Sequence, residues 1–451
     1  MGGVTALIFL VVILLATQAV EAQAVDVRNV RDVLKADYIY LSSLVGSDGS
    51  VVEPYNSLRS QALVGSMAGW LHIGLGDTES LMLLDKVADA VNSRVEREDG
   101  VDLGFDGGVQ DGENLITHLT VADLLSIHYG LTKDPRSRAN LLRLLESVEK
   151  KIGWTPPTSK AAILARASSL SFLAGGQPLK EDVSEALDEY ARRIYDIINY
   201  SAVGYEKLTS SLKQLSLLME AAREAGLEPP AELVALWSVH VDYVVEATQT
   251  LPISSEGYRK LLRGFSSLVD AAANTHLNAS KVAAEQAVRT AEAIDGIWRA
   301  GDRILYLPVD PLEVYPLDPL TPADRIVADQ AAGRTVLMAD LRFPILILTL
   351  EQAVGERPDL HEAVTLAISR VSVKDGYFPL IERGLIKSEE LVNRWLRIQL
   401  LSTYLALQRA PSVQQRGETL QLFLGTHPTF LAILTMLLTI AILRRVGALR
   451  W

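Results

Sequence analysis

The sequence predicts an all-α fold, an α/α toroid of six or seven helical hairpins with a signal segment before it and a transmembrane helix after it. Hydrophobic residues make up 49% of the 451-residue chain and aromatic residues only 6%, and Ala and Leu dominate, which is typical of helical proteins. Charged amphipathic helices alternate with more apolar ones, and short turns follow the apolar helices at intervals of roughly 45 to 55 residues. An open α-helical solenoid is the alternative architecture.

Residues 1–24 are predicted to be a secretory signal peptide. The run from Ala6 to Ala16 is apolar throughout, and Ala22 and Ala24 have the spacing of a signal-peptidase site. Because only the terminal amine is positively charged before this run, an uncleaved anchor is the alternative.

Residues 422–443 are predicted to be a transmembrane helix, because they carry no formal charge and would span roughly 33 Å as a helix. Arg444, Arg445 and Arg450 follow, and positively charged residues stay on the cytoplasmic side. We therefore expect a single-pass protein of the cell surface with a cytoplasmic basic tail at 444–451. Residues 25–411 would form the extracytoplasmic hairpin domain and 412–421 a linker. A buried C-terminal helix of that domain is the alternative.

About fourteen helices are predicted between the two ends, in alternating pairs. The first helix of a pair has a charged face and an apolar stripe, as in residues 79–97. Similar helices begin near residues 26, 136, 180, 231, 281 and 360. The second helix is apolar on most sides, which indicates that other helices surround it. Such helices are predicted within residues 57–75, 114–131, 159–176, 334–353 and 394–408.

The links between helices also alternate in length. Short turns with Gly, Pro or Asp follow the apolar helices, as at residues 74–77, 130–135 and 226–230. Longer links follow the charged helices, as at residues 98–112. Residues 303–324 contain five prolines and are predicted to run extended, as a strap across the last hairpins or as the wall of a groove.

This alternation, with long links that enter the inner helices, resembles the six-hairpin glycosidases and related α/α-toroid proteins over residues 25–409. The resemblance is architectural and includes no residue-level signature, so no catalytic residue carries over. It implies a substrate groove on the face where the inner helices begin, with paired carboxylates for the chemistry. It leaves open whether the protein is an enzyme, which would then be a glycoside hydrolase or a polysaccharide lyase.

The long links carry the acidic and aromatic residues that a sugar-cleaving site needs, namely one protonated carboxyl, one ionised carboxyl and aromatic platforms. Asp111 and Glu113 begin an inner helix, whose dipole favours an ionised carboxylate. Asp375 lies beside Tyr377 and Phe378, where burial would raise its pKa, and is the candidate general acid. Candidate substrate-binding residues are Asp106, Tyr55, Trp154, Tyr377 and Tyr315. Helix capping is the alternative explanation for each acid, Asp48 included.

The composition excludes several classes of site and partner. The chain has no cysteine, which excludes disulfides, thiolate chemistry and Cys-ligated metals, and we predict no cofactor. Asp99, Asp102 and Asp106 could hold calcium, although their spacing differs from that of an EF-hand. His118 and His128 are ten residues apart and form no ligand pair by spacing, so packing is the expected role of the histidines. The net charge of −12 argues against nucleic acid.

Two classes of function follow. The first is a membrane-anchored toroid that binds or processes glycans on its long-link face. The second is a non-catalytic structural or interaction protein of the cell envelope, whose partner would be another envelope protein. Two sequons, at Asn199 and Asn278, are compatible with export.

Overall fold

The computed structural model describes residues 27–52, 57–97, 111–152, 159–253, 257–298, 306–309, 336–339, 341–371 and 387–409. All of them lie in the first of the two compact units into which the chain divides, Met1–Arg409 and Ala410–Trp451. These residues form fifteen α-helices and one two-stranded antiparallel ribbon, which confirms the predicted all-α class.

The helices are α1 (Val27–Leu44), α2 (Leu58–Leu75), α3 (Thr78–Arg97), α4 (Asp111–Thr132), α5 (Pro135–Ile152), α6 (Ser159–Leu173), α7 (Lys180–Arg192), α8 (Ile194–Ser201), α9 (Tyr205–Glu224), α10 (Ala231–Gln249), α11 (Tyr258–Ala272), α12 (Ser280–Trp298), α13 (Arg342–Val354), α14 (Pro358–Val371) and α15 (Lys387–Arg409). The ribbon strands are β1 (Tyr306–Val309) and β2 (Val336–Ala339).

Charged and apolar helices alternate as the sequence predicts from α1 to α7, whereas α10, predicted as a charged helix, is more apolar than α9 and α11 on either side of it. The charged helices predicted near residues 26, 79, 136, 180, 231, 281 and 360 are α1, α3, α5, α7, α10, α12 and α14. The short helix α8 is an addition to the prediction. It arises where the backbone of Arg193 leaves helical geometry, at φ −106° and ψ 20°, and divides one charged helix into α7 and α8.

Seven helices contact one another in a continuous series. In chain order, α2, α4, α6, α9, α11, α13 and α15 each contact the next, and α15 contacts α2. We call these seven the inner helices, and we call α1, α3, α5, α7, α10, α12 and α14 the outer helices. Each hairpin is an outer helix followed by an inner helix, and outer helices α3 to α14 contact both the inner helix before them and the inner helix after them.

Glycines allow the first two inner helices to approach closely. A Cβ at Gly65 of α2 would lie 2.5 Å from Leu124 Cδ1 of α4, and one at Gly69 would lie 2.3 Å from Ile127 Cγ2. The later glycine of α2 meets the later residue of α4, so α2 and α4 run in the same direction. No larger residue fits these positions without moving its neighbour.

A buried charge cluster joins the first and last of the described helices. The carboxylate of Asp37 in α1, which is 1% exposed, accepts hydrogen bonds from Arg394 and Arg397 of α15. The Arg394 guanidinium also lies over the ring of Tyr40, 3.9 Å from its centroid. A buried carboxylate requires such partners because its desolvation is costly.

The inner helix predicted within residues 334–353 begins later than expected, at Arg342. Pro344 explains the start. Proline lacks the N–H that an interior position donates, so it is tolerated only in the first turn of a helix. Residues Val336–Ala339 pair instead with Tyr306–Val309. Tyr306–Val309 belong to the proline-rich insert at 303–324 and are extended, as predicted. The rest of the insert lies outside the described residues.

The predicted signal peptide, transmembrane helix and basic tail, at residues 1–24, 422–443 and 444–451, also lie outside the described residues. Within the ranges that the structure covers, no helix is both long enough and apolar enough to cross a membrane.

Candidate functional site

A series of polar contacts crosses five consecutive inner helices, from α2 to α11. We call it the polar belt and define it by its residues, Ser66, Asp123, Arg166, Ser169, Lys213, Glu224 and Ser266.

Asp123 of α4 is the centre of the belt's first half. Ser66 of α2 donates a hydrogen bond to Asp123 Oδ2 at 2.8 Å, and Arg166 Nη2 of α6 donates to Oδ1 at 2.6 Å. Arg166 Nη1 also donates to Ser126 Oγ at 3.0 Å. The Asp123 side chain is 3% exposed and that of Arg166 11%, so this is a buried, hydrogen-bonded ion pair.

The second half of the belt connects α6, α9 and α11. Ser169 of α6 donates to Glu224 Oε2 of α9 at 3.1 Å, and Lys213 of α9 donates to Ser266 Oγ of α11 at 2.8 Å. These side chains, apart from that of Ser266, are only half-buried, in contrast to Asp123.

One face of α9 accounts for this accessibility. Between Thr209 and Ala222 every residue of α9 is buried except four. The half-buried residues, with Glu224, are Ser210, Lys213, Leu217, Glu220 and Glu224. Their alternating spacing of three and four places them on one side of the helix, along about 21 Å. This α9 stripe is therefore a largely polar surface on a helix whose other sides are packed.

The α9 stripe and the belt combine cations with carboxylates. Lys213 and Arg166 are donors, and Glu220 and Glu224 are acceptors, with Glu220 paired to Arg223 at 3.5 Å. A ligand with several hydroxyl or carboxyl groups could form charge-assisted hydrogen bonds along such a surface. Among the side chains that the structure covers, no three His, Asp or Glu residues are grouped to hold a metal ion.

Most predicted site residues lie outside the described residues. Asp111 and Glu113 do begin α4, as predicted, although their side chains are outside the described set. The candidates outside the described residues altogether are Asp375, Tyr377, Tyr315, Trp154, Tyr55 and Asp106, together with Asp99 and Asp102 of the possible calcium site. Their roles stay predictions.

Asp48 is the one acid of the long links whose surroundings are described. Its Oδ1 accepts hydrogen bonds from the backbone N–H of Ser50 at 3.0 Å and from the Ser50 hydroxyl at 2.6 Å. The hydrogen bonds from Ser50 hold the pKa of Asp48 below its ordinary value. This local turn accounts for the residue without a catalytic role.

A second polar chain has the connectivity of a catalytic triad. His128 Nδ1 lies 2.7 Å from Ser137 Oγ, and Nε2 lies 3.0 Å from Asp85 Oδ1. Ser137 is fully buried and its hydroxyl oxygen also accepts a hydrogen bond from Asn92 at 2.8 Å, so no substrate carbonyl can reach it. The chain connects α3, α4 and α5, and His128 has the packing role expected of the histidines.

A groove of about 370 Å³ lies away from the belt, between α12 and the turn from α13 to α14. Ala284, Val288 and Val354 contribute its apolar lining, and Arg357 bridges to Glu292 at 3.3 Å.

Comparison with known proteins adds no relative. No protein-family model, no curated protein and no solved structure matches this chain.

Sequence reasoning missed the polar belt because Arg166 and Asp123 lie within helices that are apolar overall. The spacing of the α9 stripe could have identified it, since polar residues at positions 210, 213, 220 and 224 fall on one helical face.

Proposed function

We propose that this protein is a membrane-anchored, extracytoplasmic α/α toroid of seven hairpins that binds a glycan along the α9 stripe. Two contacts support closure of the toroid. Helix α15 contacts both α1 and α2, and Asp37 joins α1 to Arg394 and Arg397 of α15. An open solenoid would keep its first and last hairpins apart.

The α9 stripe is the observation that carries the proposal. An inner helix with only a packing role is expected to be buried on all sides, and α2 meets this expectation. Helix α9 instead keeps Lys213, Glu220 and Glu224 half-exposed on one face. Binding sites typically combine packed walls with a few placed polar groups, and the hydroxyls of a sugar would pair with these charges.

Export and anchoring are supported by the sequence of the two ends, the apolar run with its small residues before residue 25 and the uncharged segment with its basic stop at 422–451. Cleavage of the glycan is a separate question, for which the candidates stay Asp375, Glu113 and Asp111.

The test is thermal unfolding of the full chain in detergent against a panel of envelope and storage polysaccharides, with sugar release assayed in parallel. A ligand at a hundred times its Kd stabilises the folded state by about 2.7 kcal/mol. We expect one class of glycan to raise the Tm, and Lys213→Met or Glu224→Gln to abolish that rise. Lys281→Met, an exposed lysine on outer helix α12, is the matched control and should leave the rise intact.

Each outcome of this test distinguishes the functions. Sugar release that disappears in Asp375→Asn or Glu113→Gln would make the protein a glycoside hydrolase or a polysaccharide lyase. A rise in Tm without release would make it a glycan-binding protein. No rise with any glycan would contradict the proposal.

A non-catalytic structural or interaction protein of the envelope is the second candidate. It is favoured by the ion pair of Asp123 with Arg166 and the hydrogen bond of Ser169 to Glu224, which use the belt's polar groups to hold inner helices together. Under this function no glycan would change the Tm of the wild-type chain or of the belt variants.

A further inference from the structure

We propose that Asn199 and Asn278 carry N-linked glycans, and that the glycan on Asn199 covers an exposed apolar face of α8. The inference rests on the export included in the proposed function, because attachment takes place outside the cytoplasm.

The asparagines of both sequons lie on the surface, although Ser201 and Ser280 are buried in the folded chain. Asn199 is exposed in the short helix α8, and Asn278 is exposed in the turn between α11 and α12. Neither asparagine is needed for packing. By contrast, the buried asparagines of the described residues form hydrogen bonds within the fold, and they are Asn92, Asn140 and Asn274.

A second, independent observation concerns the surface around Asn199. Tyr195 is 81% exposed, Ile198 42% and Val203 66%. Within α8, Tyr195 and Asn199 are four residues apart and lie on the same side of the helix. A cluster of large apolar side chains on the surface of an exported domain is a liability for self-association unless something covers it.

Asn278 also lies close in sequence to an exposed apolar side chain. Val282, four residues later, is 44% exposed. An N-linked glycan is bulky and solubilising, so at both positions it would shield apolar surface that the fold leaves open.

The attachment is a group transfer without oxidation or reduction. A lipid-linked oligosaccharide phosphate is the donor. The bond between its anomeric carbon and the phosphate oxygen breaks, and a bond from Asn Nδ2 to the anomeric carbon forms. One amide proton is lost, and the lipid phosphate is the leaving group. The hydroxyls of Ser201 and Ser280 complete the two sequons.

The test is peptide mass spectrometry of the full chain, isolated from the membranes of its native host and digested with trypsin. We expect the peptides 194–207 and 264–281 to carry a glycan mass that chemical deglycosylation removes. Asn199→Gln and Asn278→Gln should each remove one glycan. Asn29→Gln is the matched control, because Asn29 is exposed but lies outside a sequon, and it should leave both glycans in place.

Self-association tests the shielding. Asn199→Gln should form more oligomer in size-exclusion chromatography than Asn278→Gln, because the larger apolar face becomes bare. Finding both peptides unmodified while added protease digests the domain from outside the cell would overturn the inference and leave the proposed function standing. A domain protected inside the cytoplasm would overturn both. Glycosylated peptides without any glycan-induced rise in Tm would overturn only the proposed function.

Discussion

Helices α2 and α9 are both inner helices, and each contacts an inner helix on either side. They differ in how completely they are buried. In α2, 15 of 18 residues are buried, whereas in α9 only 10 of 20 are. Glycines at 65 and 69 let α2 lie against α4, and a Cβ at Gly74 would lie 2.6 Å from Ser402 Oγ of α15. The difference shows that a position among the inner helices does not by itself close a helix to solvent.

Long side chains explain the open side of α9. Lys213 and Glu224 have charged ends that are costly to desolvate, so they pack along their stems and keep the ends partly in water. The α2–α4 sector is thus predicted to supply stability, and the α9 stripe to supply the binding surface.

The largest expected effect is in the buried half of the belt. Asp123→Asn removes the charge that compensates Arg166, so we expect the free energy of unfolding to fall by about 3 to 5 kcal/mol. Glu224→Gln keeps an acceptor for Ser169 on the half-exposed side and should cost less than about 1 kcal/mol. Denaturant unfolding of the full chain in detergent measures both. Equal losses at the two positions would remove the distinction between the sectors.

The next effect tests the close packing of α4 on α6. A Cβ at Gly130 would lie 2.5 Å from the backbone oxygen of Ala167, which cannot turn aside as a side chain could. We expect Gly130→Ala to lower the free energy of unfolding by about 1 to 3 kcal/mol.

Gly296 on outer helix α12 provides the control for that substitution. A Cβ there meets nothing within 4 Å, so Gly296→Ala should raise stability by about 0.5 to 1 kcal/mol through helix propensity alone. If Gly130→Ala were also stabilising, the contact between α4 and α6 would be looser than the structure has it.

The smallest effect concerns the contact between α13 and α14, outside both sectors, and depends on pH. Glu351 Oε2 lies 2.9 Å from His361 Nδ1, and this hydrogen bond raises the pKa of His361 above its ordinary value, against the effect of burial. The pair therefore stabilises the fold fully below the ordinary pKa of histidine. That contribution is lost as pH rises through the raised pKa of the folded state.

His361→Gln should accordingly cost on the order of 1 kcal/mol at pH 5.5 and less at pH 9. The measurement is the unfolding midpoint of the wild-type and variant chains at both values. A difference that grows with pH would show that the imidazole is not stabilised in its charged form.

The helix pattern was predictable because local features encode it. Apolar residues at three- and four-residue spacing located the outer helices, and turn glycines such as Gly76, in a left-handed conformation at φ 72°, ended the inner ones. The start of α13 was predicted wrongly, at 334, because the apolar run was given more weight than Pro344. The break at Arg193 had no signal of this kind.

The belt was harder to predict because it depends on which helices become neighbours. Nothing local indicates that Arg166 meets Asp123, 43 positions earlier, or that Lys213 meets Ser266, 53 positions later. The proposed acids of the long links, Asp375 and Glu113, were selected by residue type and neighbouring sequence alone, and they stay predictions.

The cluster of Asp37 with Arg394 and Arg397 has a consequence for how the chain folds. These partners are 357 and 360 residues apart, so α1 is synthesised long before the helix that neutralises its buried carboxylate exists. Contacts of such sequence separation form late and slow the search for the native state. The contacts of α1 with α15 are therefore expected to be among the last of the described contacts to form. Until then the surface of α1 that packs on α15 is exposed and available to a chaperone.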